Sequence, residues 1–157
     1  MAGQPPTFLF TSGRPNRCNP QGVNCLYFSE SEATAATEFR AQWRGTPGED
    51  QPKLTYSARV HLRKIVDLGD PAVLKLLGLT GTDLFGGWRL AAQSTRLQLL
   101  GLAISQQTAI TAIRFPSAAC RSAGSTGWNV AIFPTALQPP DRVEILGNTG
   151  AALEIWP

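Results

Sequence analysis

A chain of 157 residues and 16.9 kDa is enough for one domain and too short for two. At this size roughly 68–70% of the unfolded surface is buried without help from a disulfide or metal. Charged residues make up 16% of the chain, low against a usual ~25%, which excludes a disordered or coiled-coil protein, and 15 Gly with 12 Pro exclude a bundle of long helices. The net charge of +3 is dispersed along the chain without a basic stripe, so direct nucleic-acid binding is not expected.

In chain order, residues 11–24 are dense in Gly, Pro, Asn and Arg and read either as an ordered, ligand-facing loop or as a plain mobile one. Cys25-Leu-Tyr-Phe28 is a short apolar run that suits a buried strand. Ser29 and Glu32 have the spacing of a capping box, which predicts a helix running to about Trp43. On that helix Thr34, Glu38 and Gln42 share one face, while Ala36, Phe39 or Arg40, and Trp43 share another. Residues 45–52 form a loop.

Leu54, Tyr56, Ala58, Val60 and Leu62 alternate with Thr55, Ser57, Arg59, His61 and Arg63. This period of two predicts a strand with one face in the core and His61 on the wet face. Asp70-Pro71 caps a short helix over Ala72–Leu77. Residues 78–87 read as a loop, and a second helix is expected from about Leu90 to Ile104, with Leu97, Leu100 and Ile104 buried. Three late strands, Ile110–Phe115, Asn129–Phe133 and Arg142–Leu146, are followed by a fourth at Ala152–Trp156. Helices in the first two thirds with strands at both ends predict a single α+β domain over residues 1–157, not a βαβ alternation.

The chain lacks a P-loop, a GxGxxG after a strand, HExxH and GxSxG. Its solitary histidine makes a serine or cysteine triad and metal hydrolysis poor readings. Cys18, Cys25 and Cys120 fit no zinc-motif spacing with His61, so no metal is expected, and three unpaired thiols suit a reducing cytoplasm. The first residues, Met1-Ala-Gly-Gln-Pro-Pro-Thr, do not have the pattern of a signal peptide. The most apolar stretch, Leu97–Ile113, is interrupted by Gln and Thr, and no membrane partner is expected.

Eleven of the fourteen cations are Arg, whose planar fork matches phosphate and carboxylate. The richest constellation lies in residues 14–38: a Gly/Pro loop with Arg14 and Arg17, a strand carrying Tyr27, and a capped helix presenting Glu38. From composition alone, solvated loop arginines, a core tyrosine and a surface glutamate account for these residues more simply.

Arg17-x-Asn19-Pro20-x-Gly22, Leu26-Tyr27 and Thr34-Ala-x-x-Glu38 resemble the opening of the RES domain, and Phe115-Pro-Ser117-Ala and Trp128-Asn129-Val-Ala-Ile-Phe133 resemble its later Ser-Ala and Asn-Val segments. The resemblance spans about residues 13–135. It implies a compact α+β domain similar to the ADP-ribosyltransferase toxins, with a split mixed β-sheet and a few short helices. It also implies the toxin of a toxin–antitoxin pair, with an Xre-type antitoxin as partner and NAD+ as substrate. The ADP-ribosyl acceptor is a protein side chain, phosphate or water, with a slight lean to protein; a non-catalytic module that binds an anionic ligand is the alternative. By position, Arg17, Tyr27, Glu38 and Ser117 match the family's Arg, Tyr, Glu and Ser. Glu38 and Arg17 are the expected catalytic pair, with Tyr27, Ser117, Asn129 and Arg14 toward NAD+. The family often has a further Arg upstream, where this chain has Phe8-Leu-Phe10; either Arg14 replaces it or the first strand is shortened.

Overall fold

The computed structural model describes residues 11, 13–49, 52 and 54–156; the expectation about Phe8–Phe10 lies outside them. Seven strands form two sheets. In chain order they are β1 (Leu26–Ser29), β2 (Ser57–His61), β3 (Ile65–Asp67), β4 (Ala112–Pro116), β5 (Trp128–Ile132), β6 (Arg142–Leu146) and β7 (Ala152–Trp156). The first sheet has the order β1-β5-β4-β3, with β3 and β4 parallel and the other pairs antiparallel; the second is the antiparallel β2-β6-β7. The helices are α1 (Glu32–Trp43), α2 (Pro71–Leu77), α3 (Gly81–Phe85), α4 (Arg96–Ser105) and α5 (Ala118–Ser122). The chain is a single α+β domain with a mixed sheet and a few helices.

Alternation along β4 and β5 places apolar side chains on both faces of the first sheet, which is therefore covered on both sides. Ile113, Phe115, Ala131 and the adjoining Phe133 face Leu68, Leu84, Leu97 and Ile104 in one core, beneath the helices. Ala112, Ile132 and Leu26 face Val143 and Ile145 of the second sheet in another. The result is three layers: helices, first sheet, second sheet.

Several expectations are corrected. The cap of α1 is Ser31, which accepts from the Thr34 amide, and not Ser29, whose hydroxyl is bonded elsewhere. The alternating segment at 54–63 is paired only over Ser57–His61. Its apolar side is largely uncovered, with Leu54 75% exposed and Tyr56 and Val60 exposed as well. This strand is an edge of the second sheet, and of that side only Ala58 and Leu62 reach the core. The expected loop at 78–87 contains α3, opened by a Thr80–Asp83 capping box. The expected helix from Leu90 begins instead at Arg96, where Thr95 and Gln98 form the capping box, after a 3-10 turn at Trp88–Leu90. Among its expected buried residues, Leu97 and Ile104 are buried and Leu100 is half-buried.

An ion pair between the exposed Arg63 and the buried Asp141 joins the sheets' loops. Asp141 is 1% exposed and accepts from Arg63 Nε (3.0 Å), Nη2 (2.8 Å) and the Arg63 amide (2.7 Å), and from the Gln138 amide (3.1 Å). Burial alone raises its pKa, but the Arg63 fork and the two amides outweigh it and hold the carboxyl below its usual value. A depressed folded-state pKa gives stability that is present above the ordinary Asp range and is lost as pH falls through the lowered value. Asp141→Asn is therefore expected to cost about 2 kcal/mol at neutral pH, discounted because Arg63 is partly solvated. The gap to the unsubstituted protein should narrow in acid; denaturant titrations at neutral and acidic pH check both.

Candidate active site

The segment 13–24 is an ordered loop stitched by side chains. Asn19, 2% exposed, donates to the carbonyls of Arg14 (2.8 Å), Val23 (2.8 Å) and Pro20 (3.3 Å) and accepts from the Tyr27 hydroxyl at 2.8 Å. Gly22 sits at φ +87°, in the region that glycine tolerates best, and its amide bonds the Gly13 carbonyl at 2.8 Å. From α4, Gln98 Nε2 donates to the Asn16 carbonyl at 2.8 Å. At Gly101 of α4, an added Cβ would lie 1.7 Å from the Cys18 carbonyl oxygen. The Asn and Gly of the motif are thus there to build the loop, and what the loop displays is Arg17.

Arg17 is half-buried, and its Nη1 donates to the carbonyls of Leu84 (2.7 Å) and Gly86 (3.3 Å) at the end of α3. Burial draws its pKa down; Cys18 and Glu38 oppose that fall, and the like charge of Arg89 adds to it. A guanidinium under these conditions remains charged and lacks full solvation, which favours an anionic ligand.

Glu38 reaches the same cleft from α1. Thr34, one turn earlier on the same face, is buried, so this face is turned into the protein. The Glu38 carboxylate accepts from Ser117 Oγ at 2.8 Å and Asn129 Nδ2 at 2.7 Å, both on Oε1. Neither donor is placed by chance. Ser117 directly follows β4 and caps α5, its Oγ accepting from the Cys120 amide at 2.9 Å. Asn129 on β5 lies opposite Ser29 of β1 in register, and Ser29 Oγ donates to Asn129 Oδ1 at 2.7 Å. That bond sets the amide so that its nitrogen faces Glu38. Ser117→Ala removes one of the two donors and a helix cap, so it is expected to cost about 1 kcal/mol of stability together with part of any activity that depends on Glu38; paired melting and rate measurements check it.

The Tyr27 hydroxyl is engaged within the loop. It donates to Asn19 and accepts from the Cys18 amide at 2.9 Å, and burial raises its pKa. The ring stands edge-on to Phe115 with centroids 6.3 Å apart. Tyr27 thus ties the Arg17 loop to β1 and is itself among the residues that line the cleft. Burial pushes the Cys18 thiol up to about 12, which makes it a poor nucleophile at neutral pH.

Arg14, Arg17, Tyr27, Glu38 and Asn129 line one open trough of about 2770 Å³, which also takes in Trp88 and Arg89. It is several times larger than an ordinary ligand pocket and continues along the uncovered apolar side of β2. Ser117 joins through its bond to Glu38. Sequence reasoning missed two neighbours of the site. Ser29 was read as a helix cap. Arg89 follows Gly86-Gly87-Trp88, where a glycine pair before an aromatic–cation dipeptide was the available signal. Among the described residues, no cluster of three His, Cys, Asp or Glu side chains is arranged to hold a metal, and no helix is long and apolar enough to cross a membrane.

The RES domain family model matches residues 4–153, nearly the whole chain. The chain belongs to the RES family, a family associated with NAD+-using toxin enzymes. No curated protein and no solved structure matches it.

Proposed function

We propose that the chain is an NAD+-consuming toxin enzyme that breaks the nicotinamide–ribose bond and passes ADP-ribose to an acceptor, with a protein side chain placed slightly ahead of phosphate or water. Its activity would be held in check by an Xre-type antitoxin in the cytoplasm. The observation that carries the reading is the Glu38 carboxylate, fixed by Ser117 and Asn129 in the same cleft as Arg17.

The chemistry suits these groups. The leaving nicotinamide is already cationic, so when the C–N bond breaks its electron pair neutralises the ring and no general acid is required. What must be stabilised is the positive charge growing on the ribose, a task for a preorganised carboxylate. Both hydrogen bonds to Glu38 fall on Oε1, and Oε2 has no hydrogen-bond partner among the described residues. In this reading Oε2 meets the ribose hydroxyls, Arg17 grips the pyrophosphate or ribose, and the Tyr27 ring lies beside the nicotinamide.

Incubating the purified protein with NAD+ and measuring free nicotinamide tests the proposal directly. Release at a rate well above the protein-free control is expected, and no release in the presence of phosphate or cell lysate overturns it. Mass spectrometry of the products assigns the acceptor: modified protein, ADP-ribose 1″-phosphate, or free ADP-ribose.

A further inference from the structure

The RES motif brings Arg17 to this cleft, whose long trough Arg14, Arg40, Arg44 and Arg63 also line, whereas a dinucleotide carries two phosphates. Of the arginines at the trough, the one on a segment hydrogen-bonded to the same carbonyl as Arg17 is Arg89, outside the motif. The Gly86 carbonyl accepts two hydrogen bonds, from Arg17 Nη1 at 3.3 Å and from the Trp88 amide at 3.0 Å. One oxygen thereby ties the Arg17 side chain to the base of the Trp88–Leu90 turn. Arg89 lies on that turn, exposed, with its guanidinium 4.6 Å from the centre of the Trp88 ring. Both Trp88 and Arg89 line the cleft that contains Glu38. Arg89 is also the cation whose field Arg17 feels.

Resting on the dinucleotide reading above, we infer that Arg89 is a substrate-binding residue, the second guanidinium of a pair with Arg17 that clasps the pyrophosphate. Arg17 is half-buried, so the like charge of exposed Arg89 at the same cleft repels it, and a doubly anionic ligand between them relieves that repulsion while accepting hydrogen bonds from both forks. The division of labour follows from the anchoring. Arg17 is fixed by the α3 carbonyls, and the Trp88 face gives the longer-leashed Arg89 a resting place by cation–π attraction.

The test is a calorimetric titration of ADP-ribose, which contains the pyrophosphate and is not turned over, into the unsubstituted protein and its variants. Arg89→Ala is expected to weaken binding by about tenfold or more, the loss of a charge-assisted hydrogen bond, and Arg89→Lys should recover only part of it. Arg121→Ala is the control: it removes the same charge from a side chain stacked on Phe85 at 4.1 Å, on α5 and outside the cleft, and should leave binding unchanged. Because Arg89 is exposed, its variants are expected to fold, and melting curves check this. If the unsubstituted protein binds ADP-ribose and Arg89→Ala binds it equally well, or Arg121→Ala weakens it as much, the Arg89 assignment is overturned and the dinucleotide reading stands. If the unsubstituted protein binds neither ADP-ribose nor NAD+, both fall.

Discussion

Glu38→Gln is expected to reduce NAD+ consumption by about 10²–10³-fold, the range for removing a preorganised electrostatic group from a transition state, while leaving the melting temperature nearly unchanged. The substitution keeps the shape of the side chain. The amide oxygen can still accept from Ser117 and Asn129, which bond Oε1 at 2.8 and 2.7 Å. What is lost is the negative charge that the proposed chemistry sets opposite the ribose. Nicotinamide release followed over time, beside a thermal melt, separates this from unfolding. A variant that consumes NAD+ at the unsubstituted rate removes Glu38 from the mechanism, and with it the proposed chemistry.

Gly101→Ala tests whether the Arg17 loop depends on a bare helix surface. By intrinsic propensity alone, replacing a mid-helix glycine with alanine stabilises by about 1 kcal/mol. Here the added methyl would sit 1.7 Å from the Cys18 carbonyl oxygen and 2.8 Å from the Phe133 ring. Overpacking costs about 1–3 kcal/mol and occasionally more, and both neighbours are fully buried, so the clash wins. Net destabilisation of about 2 kcal/mol is expected, roughly 4–8 °C in melting temperature for a domain of this size. Activity should fall further than stability, since Cys18 adjoins Arg17. Melting at or above the unsubstituted temperature would show that α4 does not clamp the loop.

Much of the frame was legible because it is local. The last two strands coincide with their expected spans, Arg142–Leu146 and Ala152–Trp156, and Asp70-Pro71 opens α2 as its cap chemistry predicts. What was not legible depends on partners distant in sequence. The alternation at 54–63 reports two-sidedness, but nothing in it says that the apolar side of an edge strand stays largely uncovered. Ser29 precedes a helix and has the right spacing for a cap, yet a cross-strand bond to Asn129, 100 residues away, claims its hydroxyl. Ser31 then caps in its place. The site follows the same rule. Glu38, Arg17, Ser117 and Asn129 were identifiable by resemblance, and the structure brings all four to one region. The engagement of the Tyr27 hydroxyl inside the loop and the placement of Arg89 at the cleft that Arg17 lines were not legible, because each is set by where α3, α4 and β1 pack.

The Ser29–Asn129–Glu38–Ser117 chain of hydrogen bonds has a consequence for biosynthesis. Its members come from β1, α1, the end of β4 and β5, and the bond between Ser29 and Asn129 needs the first strand of the sheet to close against one made late. A nascent chain that has emerged only as far as α5 holds the glutamate and the arginine but lacks the amide that orients the carboxylate. If the proposed NAD+ chemistry holds, the site would thus stay unformed on the ribosome until the sheet is zipped.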